Sequence, residues 1–217
     1  MTAPVGAPWP GRAHHLLTGA VGYADGVLDA VTPPLLSRPT PCRAWNLGML
    51  LEHVAESLAV LHEGLTAYRV AASPACTPAR PAGDASSAAA LVGAVRQRAA
   101  ALLGASAQAD SDLPVAVADH RMPLDCLRTT GALEIAVHAW DISQACGQRL
   151  PIPDEAAADL LAQARLLVPR LGRHPLFAAP VPAPPRSTSS DRLAAYLGRP
   201  ARRRDPFVRT SANTHYP

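Results

Sequence analysis

Between Thr129 and Gly147 the charged side chains are Glu134 and Asp141, and His138 lies between them at a spacing of i, i+4 and i+7. On a helix that spacing places all three on one face. Leu127, Gly131, Ile135, Ile142 and Ala145 lie on or beside that face, so ionisable groups project from a surface otherwise suited to burial. A carboxylate taken out of water needs a compensating charge or is forced toward protonation. A metal ion supplies such a charge, and Glu and His one turn apart stand at a spacing that lets both grip one ion. A third ligand must then come from another helix. His53 qualifies, because it flanks an apolar stripe whose acidic neighbours Glu52, Glu56 and Glu63 fall on the opposite side. On periodicity alone, a neutralised Glu134–His138 pair accounts for the pattern as well as a metal does, and a lone helical histidine is more often structural than a ligand. His14, His15, His62, His120, His174 and His215 show no comparable partner spacing and are expected to be structural or at the surface.

The elements that must position these side chains are helical. Leu16, Leu17, Ala20, Val21, Ala24, Val27, Leu28 and Val31 recur at the helical period, predicting a first helix from Arg12 to Val31, closed by Pro33 and Pro34. Asn46 can cap a second, with Leu47, Leu50, Leu51, Val54, Leu58, Leu61 and Leu65 as its stripe, running to about Ala71. Residues 72–85, rich in Pro, Ala, Ser and Gly, read as an irregular crossover. A third helix is expected from Ser86 or Ser87 to Ala105, then an irregular connection over residues 107–123. The fourth runs from Leu124 to Cys146 and stops at Gly147, which suits a left-handed cap. Another follows from Asp154 to Leu171, then a Pro-rich strap from Pro175 to Pro185, a short helix from Asp191 to Leu197 and a mobile tail. No β alternation and no internal repeat is evident, so the class is all-α. Residues 12–171 are expected to form a metal-binding bundle, and residues 172–217 an extension that packs a short helix on it. Trp45 and Trp140 are expected to be packing residues.

Composition narrows the chemistry. The chain has 217 residues, 48% of them hydrophobic and 17% charged, and no apolar run reaches the length of a membrane span. Met1 to Pro10 lacks a basic stretch followed by an apolar one, so no secretory signal is expected and the cytoplasm is the expected location. All 20 basic residues are arginine, which excludes Schiff-base and pyridoxal-phosphate chemistry, since both need a lysine amine. A net charge of +3, with arginines clustered only at Arg202, Arg203 and Arg204, is too little for a nucleic-acid groove. Cys42, Cys76, Cys126 and Cys146 form no C-x-x-C pair and read as free thiols, Cys126 and Cys146 as small core filler.

The segments TPCRAW (Thr40–Trp45), LLEHV (Leu50–Val54), EIAVHAWDIS (Glu134–Ser143) and DRLAAYLGR (Asp191–Arg199) together resemble the DinB/YfiT-like superfamily. Within it they are similar to actinobacterial proteins related to the N-terminal domain of mycothiol-dependent maleylpyruvate isomerase. The chain departs from the family's usual Pro-Gly-Trp, having Arg43 and Ala44 before Trp45. The resemblance implies a DinB-like four-helix bundle with long crossovers, and a metal held by His53, Glu134 and His138. Asp141 matches the aspartate that follows the ligand histidine, and either orients a ligand, serves catalysis at the substrate or makes a buried helix hydrogen bond. Three protein ligands leave a position open, as in catalytic zinc sites; zinc is the expected ion, with nickel or iron as alternatives. The implied cosubstrate is a thiol, mycothiol, which loses its proton at such an ion and becomes a nucleophile for an electrophilic small molecule, in S-transfer or cis–trans isomerisation. A metal-dependent hydrolase without a thiol and a non-catalytic metal- or ligand-binding protein are the alternatives. The expected partner is a small-molecule substrate, not nucleic acid or membrane, and a homodimer is an admissible state.

Overall fold

The computed structural model describes residues 11–42, 45–70, 87–173 and 177–199. The expected crossover at 72–85, Arg43, Ala44, Cys76, His174, Pro175, the tail with Arg202, Arg203 and Arg204, and His215 lie outside the described residues.

Four long helices form the body: α1 (Arg12–Leu28), α2 (Leu47–Ala67), α3 (Ala88–Gln108) and α4 (Leu124–Cys146). Around the bundle, α1 packs on α4, α4 on α2, α2 on α3 and α3 on α1. Leu17 of α1, Leu50, Leu51 and Leu58 of α2, Leu102 of α3 and Leu124 and Ile142 of α4 are fully enclosed between them. The mostly helical class and the DinB-like bundle are as expected. No helix among the described residues is long and apolar enough to cross a membrane.

Local chemistry explains the helix ends. The Asn46 side chain accepts from the Met49 amide at 2.9 Å and starts α2, and the Ser87 hydroxyl does the same for α3 from Ala90. Gly147, at φ 80°, closes α4 in the left-handed conformation anticipated for it. α1 stops at Leu28, short of Val31, and a single 3-10 turn, Pro33–Leu35, follows. α2 stops at Ala67 because the chain turns through Tyr68 at φ 52° and pairs as a strand, β1 (Arg69–Val70). α5 (Asp154–Leu167) also ends early, and Leu171, beyond its end, is exposed. α6 (Ser189–Tyr196) begins two residues before Asp191, because Thr188 and Asp191 form a capping box.

The irregular connection expected over 107–123 contains a hairpin instead. β2 (Pro114–Val117) pairs antiparallel with β3 (His120–Pro123) and parallel with β1, in the order β1-β2-β3. Its pattern is weak in sequence because the sheet buries little: Val115 is enclosed and Met122 half-buried, while the tight turn uses Ala118 at φ 50° rather than a glycine. Cys126 is exposed rather than core filler, since it lies on the side of the first turn of α4 that faces away from the enclosed Leu124; Cys146 is half-buried.

Beyond its first turn α4 is buried nearly all round, so any polar group on it must find its partner inside the protein. Trp140, 5% exposed, fills the core as expected. Trp140→Ala should therefore lower the unfolding free energy by about 3–5 kcal/mol, measured by chemical denaturation. A loss under about 1 kcal/mol would show that the ring is not packed as described.

Candidate metal centre

α2 and α4 bring the three predicted ligands together. Gly131, one turn before Glu134, lets the two helices close: a Cβ there would stand 3.0 Å from a Leu61 methyl of α2. With the helices so close, His53 Nε2 lies 2.9 Å from Glu134 Oε1, and His138 Nε2 lies 3.2 Å from the same oxygen. Ser57, one turn beyond His53, donates its hydroxyl to Glu134 Oε1 at 3.3 Å. The groups bonded to Glu134 are thus two imidazoles and a hydroxyl, none of them a permanent cation.

Among the described residues, His53, Glu134 and His138 offer donor atoms that all lie within 4.8 Å of one another. Ligands about 2.0–2.1 Å from a tetrahedral ion stand roughly 3.3 Å apart, close to the spacings seen here. Two imidazole nitrogens and one carboxylate oxygen are a borderline-soft donor set that suits zinc, nickel or iron, so the residues fit a divalent metal. A second group, Cys42, His138 and Asp141, meets the same distance criterion. It is the poorer candidate, because the Arg199 guanidinium already lies on Asp141, with Nη2 2.7 Å from Oδ2 and Nε 2.9 Å from Oδ1. A second cation there would be repelled.

Asp141 does not face the opening. It has no exposed surface, and its Oδ2 lies 3.2 Å behind His138, on Nδ1. The arrangement is a carboxylate holding the far nitrogen of a ligand imidazole, which leaves Nε2 turned toward Glu134. Glu134, by contrast, keeps a third of its side chain open to solvent.

Trp45, expected as packing, forms a wall of the site. Its ring centroid is 4.2 Å from that of His53 and 6.0 Å from that of His138, and it is only half-buried. A small turn directs it there, in which the Thr40 hydroxyl donates to the carbonyls of Cys42 and Trp45. Arg199 and Ser57 were missed as well. The signal for Arg199 was a buried Asp141 in want of a cation; nothing in the sequence singled out Ser57.

Electrostatics follow the geometry. Burial alone would favour a neutral Glu134, but the His138 charge and the hydrogen bonds from His138 and His53 hold it well below the usual carboxylate range. Burial likewise opposes a charge on His138, yet the Glu134 carboxylate and the hydrogen bond to Asp141 outweigh it and raise its pKa to about 9. Burial of Asp141 is overcome chiefly by the Arg199 charge, with His138 adding to it, and its pKa is lowered. Without an ion, the positive charge between the two carboxylates is a proton on His138.

Residues 17–143 match the mycothiol maleylpyruvate isomerase N-terminal domain family. Two uncharacterized proteins of Mycobacterium tuberculosis, from strains CDC 1551 / Oshkosh and ATCC 25618 / H37Rv, are each 36% identical over 178 residues, covering 81% of this chain and 91% of theirs. No solved structure matches the chain.

A pH dependence follows for the metal-free protein. The raised His138 contributes stability that is fully present below about pH 6.5, its ordinary value, and is lost as pH rises through about 9. The lowered carboxylates contribute stability above their ordinary values that is lost on acidification. In excess chelator the melting temperature should therefore fall between pH 6.5 and 9, and His138→Gln should remove that fall. An unchanged pH profile in His138→Gln would contradict the assignment.

Proposed function

The chain belongs to the mycothiol maleylpyruvate isomerase N-terminal domain family, and from that premise we propose that it is a metal-dependent enzyme activating a small thiol, mycothiol, for reaction with an electrophilic small molecule. The observation that carries this reading is the half-open Glu134 carboxylate, bonded to two imidazole nitrogens and to no permanent cation. His53, Glu134 and His138 would hold the ion, zinc in the first instance, with nickel or iron as alternatives. A bound divalent ion supplies positive charge that lowers the pKa of a thiol brought to it.

The chain's own residues account for the rest. Asp141 keeps His138 in the ligating orientation from the buried side, and so acts as a positioning residue rather than as a proton shuttle. Trp45 fixes the His53 ring by stacking and presents the remainder of its surface to the open flank, an apolar wall against which a small electrophile can lie. Glu134, with part of its side chain in solvent, marks the side from which substrate enters. In S-transfer the thiol would give its proton to solvent, a sulfur–carbon bond would form, and the bond from that carbon to its leaving group would break, the group departing with the electron pair. In isomerisation the sulfur would add to a cis enone, the π pair moving onto the carbonyl oxygen as an enolate; rotation about the new single bond and return of that pair would re-form the double bond as trans and expel the thiolate.

Two measurements test the reading. The parent protein should carry about one divalent ion per chain by elemental analysis. Glu134→Gln should lose affinity by more than about 100-fold, beyond what loss of a residue that only holds a ligand in place usually costs, with its helical circular dichroism intact. Glu56→Gln, on the exposed side of α2, should change neither property. Consumption of an electrophile should require the thiol: turnover unaffected by its omission would overturn the thiol reading, and equal metal content in Glu134→Gln and parent would overturn the site.

A further inference from the structure

We propose that the C-terminal segment is part of this centre, with Arg199 as the positioning residue that locks Asp141 and, through it, the His138 ring. The proposal rests on the metal reading above and extends it to Arg199, which lies past the matched residues 17–143, at the end of the segment DRLAAYLGR.

Arg199 stands 58 residues from Asp141 in sequence, yet its guanidinium covers both carboxylate oxygens, with Nε 2.9 Å from Oδ1 and Nη2 2.7 Å from Oδ2. The pair is sealed from solvent: Asp141 is 0% and Arg199 7% exposed. A planar guanidinium gripping both oxygens fixes the plane of the carboxylate as well as its charge. The direction left to Oδ2 is toward His138 Nδ1, 3.2 Å away. With Nδ1 so engaged, the ring cannot turn, and Nε2 stays aimed at Glu134.

The segment is shaped to deliver this one side chain. α6 buries Leu193, its capping residue Leu197 is buried as well, and the chain then reverses through Gly198 at φ 80°, where a Cβ would come within 2.7 Å of the Ala178 carbonyl oxygen. The Arg199 amide donates to the Ala194 carbonyl at 2.9 Å, and its Nη1 to the Leu197 carbonyl at 3.2 Å. Backbone and side chain are therefore both held at the point where the chain crosses Asp141. Metal affinity is thereby tied to the seating of the Arg199 guanidinium on Asp141.

The test compares four full-length proteins by chelator competition with Co(II) and by the visible spectrum of bound Co(II): parent, Arg199→Met, the double variant Arg199→Met/Asp141→Leu, and Thr188→Ala. Arg199→Met leaves Asp141 buried without its cation; the double variant removes both charges and restores an apolar fit, so it keeps the test valid if the single variant does not fold. Thr188→Ala weakens α6 at its cap without touching Asp141. Both Arg199 variants should bind Co(II) about 10–100-fold more weakly with an altered spectrum, while Thr188→Ala matches the parent. A folded double variant with the parent's affinity and spectrum overturns the role of Arg199. So does an equal loss in Thr188→Ala, which would reduce the effect to docking alone. A parent that takes up no Co(II) overturns the metal reading itself, and this inference with it.

Discussion

Two carboxylates project from one face of a helix that is buried nearly all round, and the rest of the site follows from how each is compensated. Asp141, wholly enclosed, is met by a permanent cation, Arg199, through a two-point contact. Glu134 is met by His53 and His138, whose charge depends on a proton, and by the Ser57 hydroxyl. The first pair is closed and structural. The second has an exchangeable charge at its centre, where a divalent ion can take the place of the proton that the two carboxylates, against burial, hold on His138. His138 belongs to both arrangements, with Nδ1 tied to the closed pair and Nε2 offered to the open one.

The bundle serves this division. α2 has to lie close enough to α4 for His53 to reach Glu134, and Gly131 permits the approach by admitting the Leu61 side chain. The asparagine cap of α2 and the turn held by Thr40 place Trp45 against His53. The C-terminal segment, through α6 and Gly198, brings in the arginine that Asp141 requires. The family match spans residues 17–143; the arginine comes from the later segment DRLAAYLGR.

Much of this was legible in the sequence because helices carry periodic information. The i, i+4, i+7 spacing of Glu134, His138 and Asp141 fixes their common face whatever the rest of the fold does, and the flank position of His53 limits where it can point. The helix start at Asn46 and the stop at Gly147 were equally plain, and the start at Ser87 was narrowed to Ser86 or Ser87, since each depends on one side chain or one glycine. What could not be read depends on contacts between distant segments. The hairpin at Pro114–Pro123 lacks a glycine turn and buries little, so neither turn chemistry nor alternation announces it. Trp45 has the composition of a packing residue, and only the turn at Thr40 makes it a wall of the site. The demand of a buried Asp141 for a cation was legible, but the identity of its donor depends on a tertiary contact across 58 residues.

Zinc-soaked crystals measured on either side of the zinc absorption edge tell whether the open carboxylate or the closed one holds the ion. With the ion on the open carboxylate, one anomalous peak is expected at bonding distance from His53 Nε2, a Glu134 carboxylate oxygen and His138 Nε2, with Arg199 still on Asp141. A peak among Cys42, His138 and Asp141 with Arg199 displaced, or no peak between α2 and α4, would contradict a metal site on Glu134.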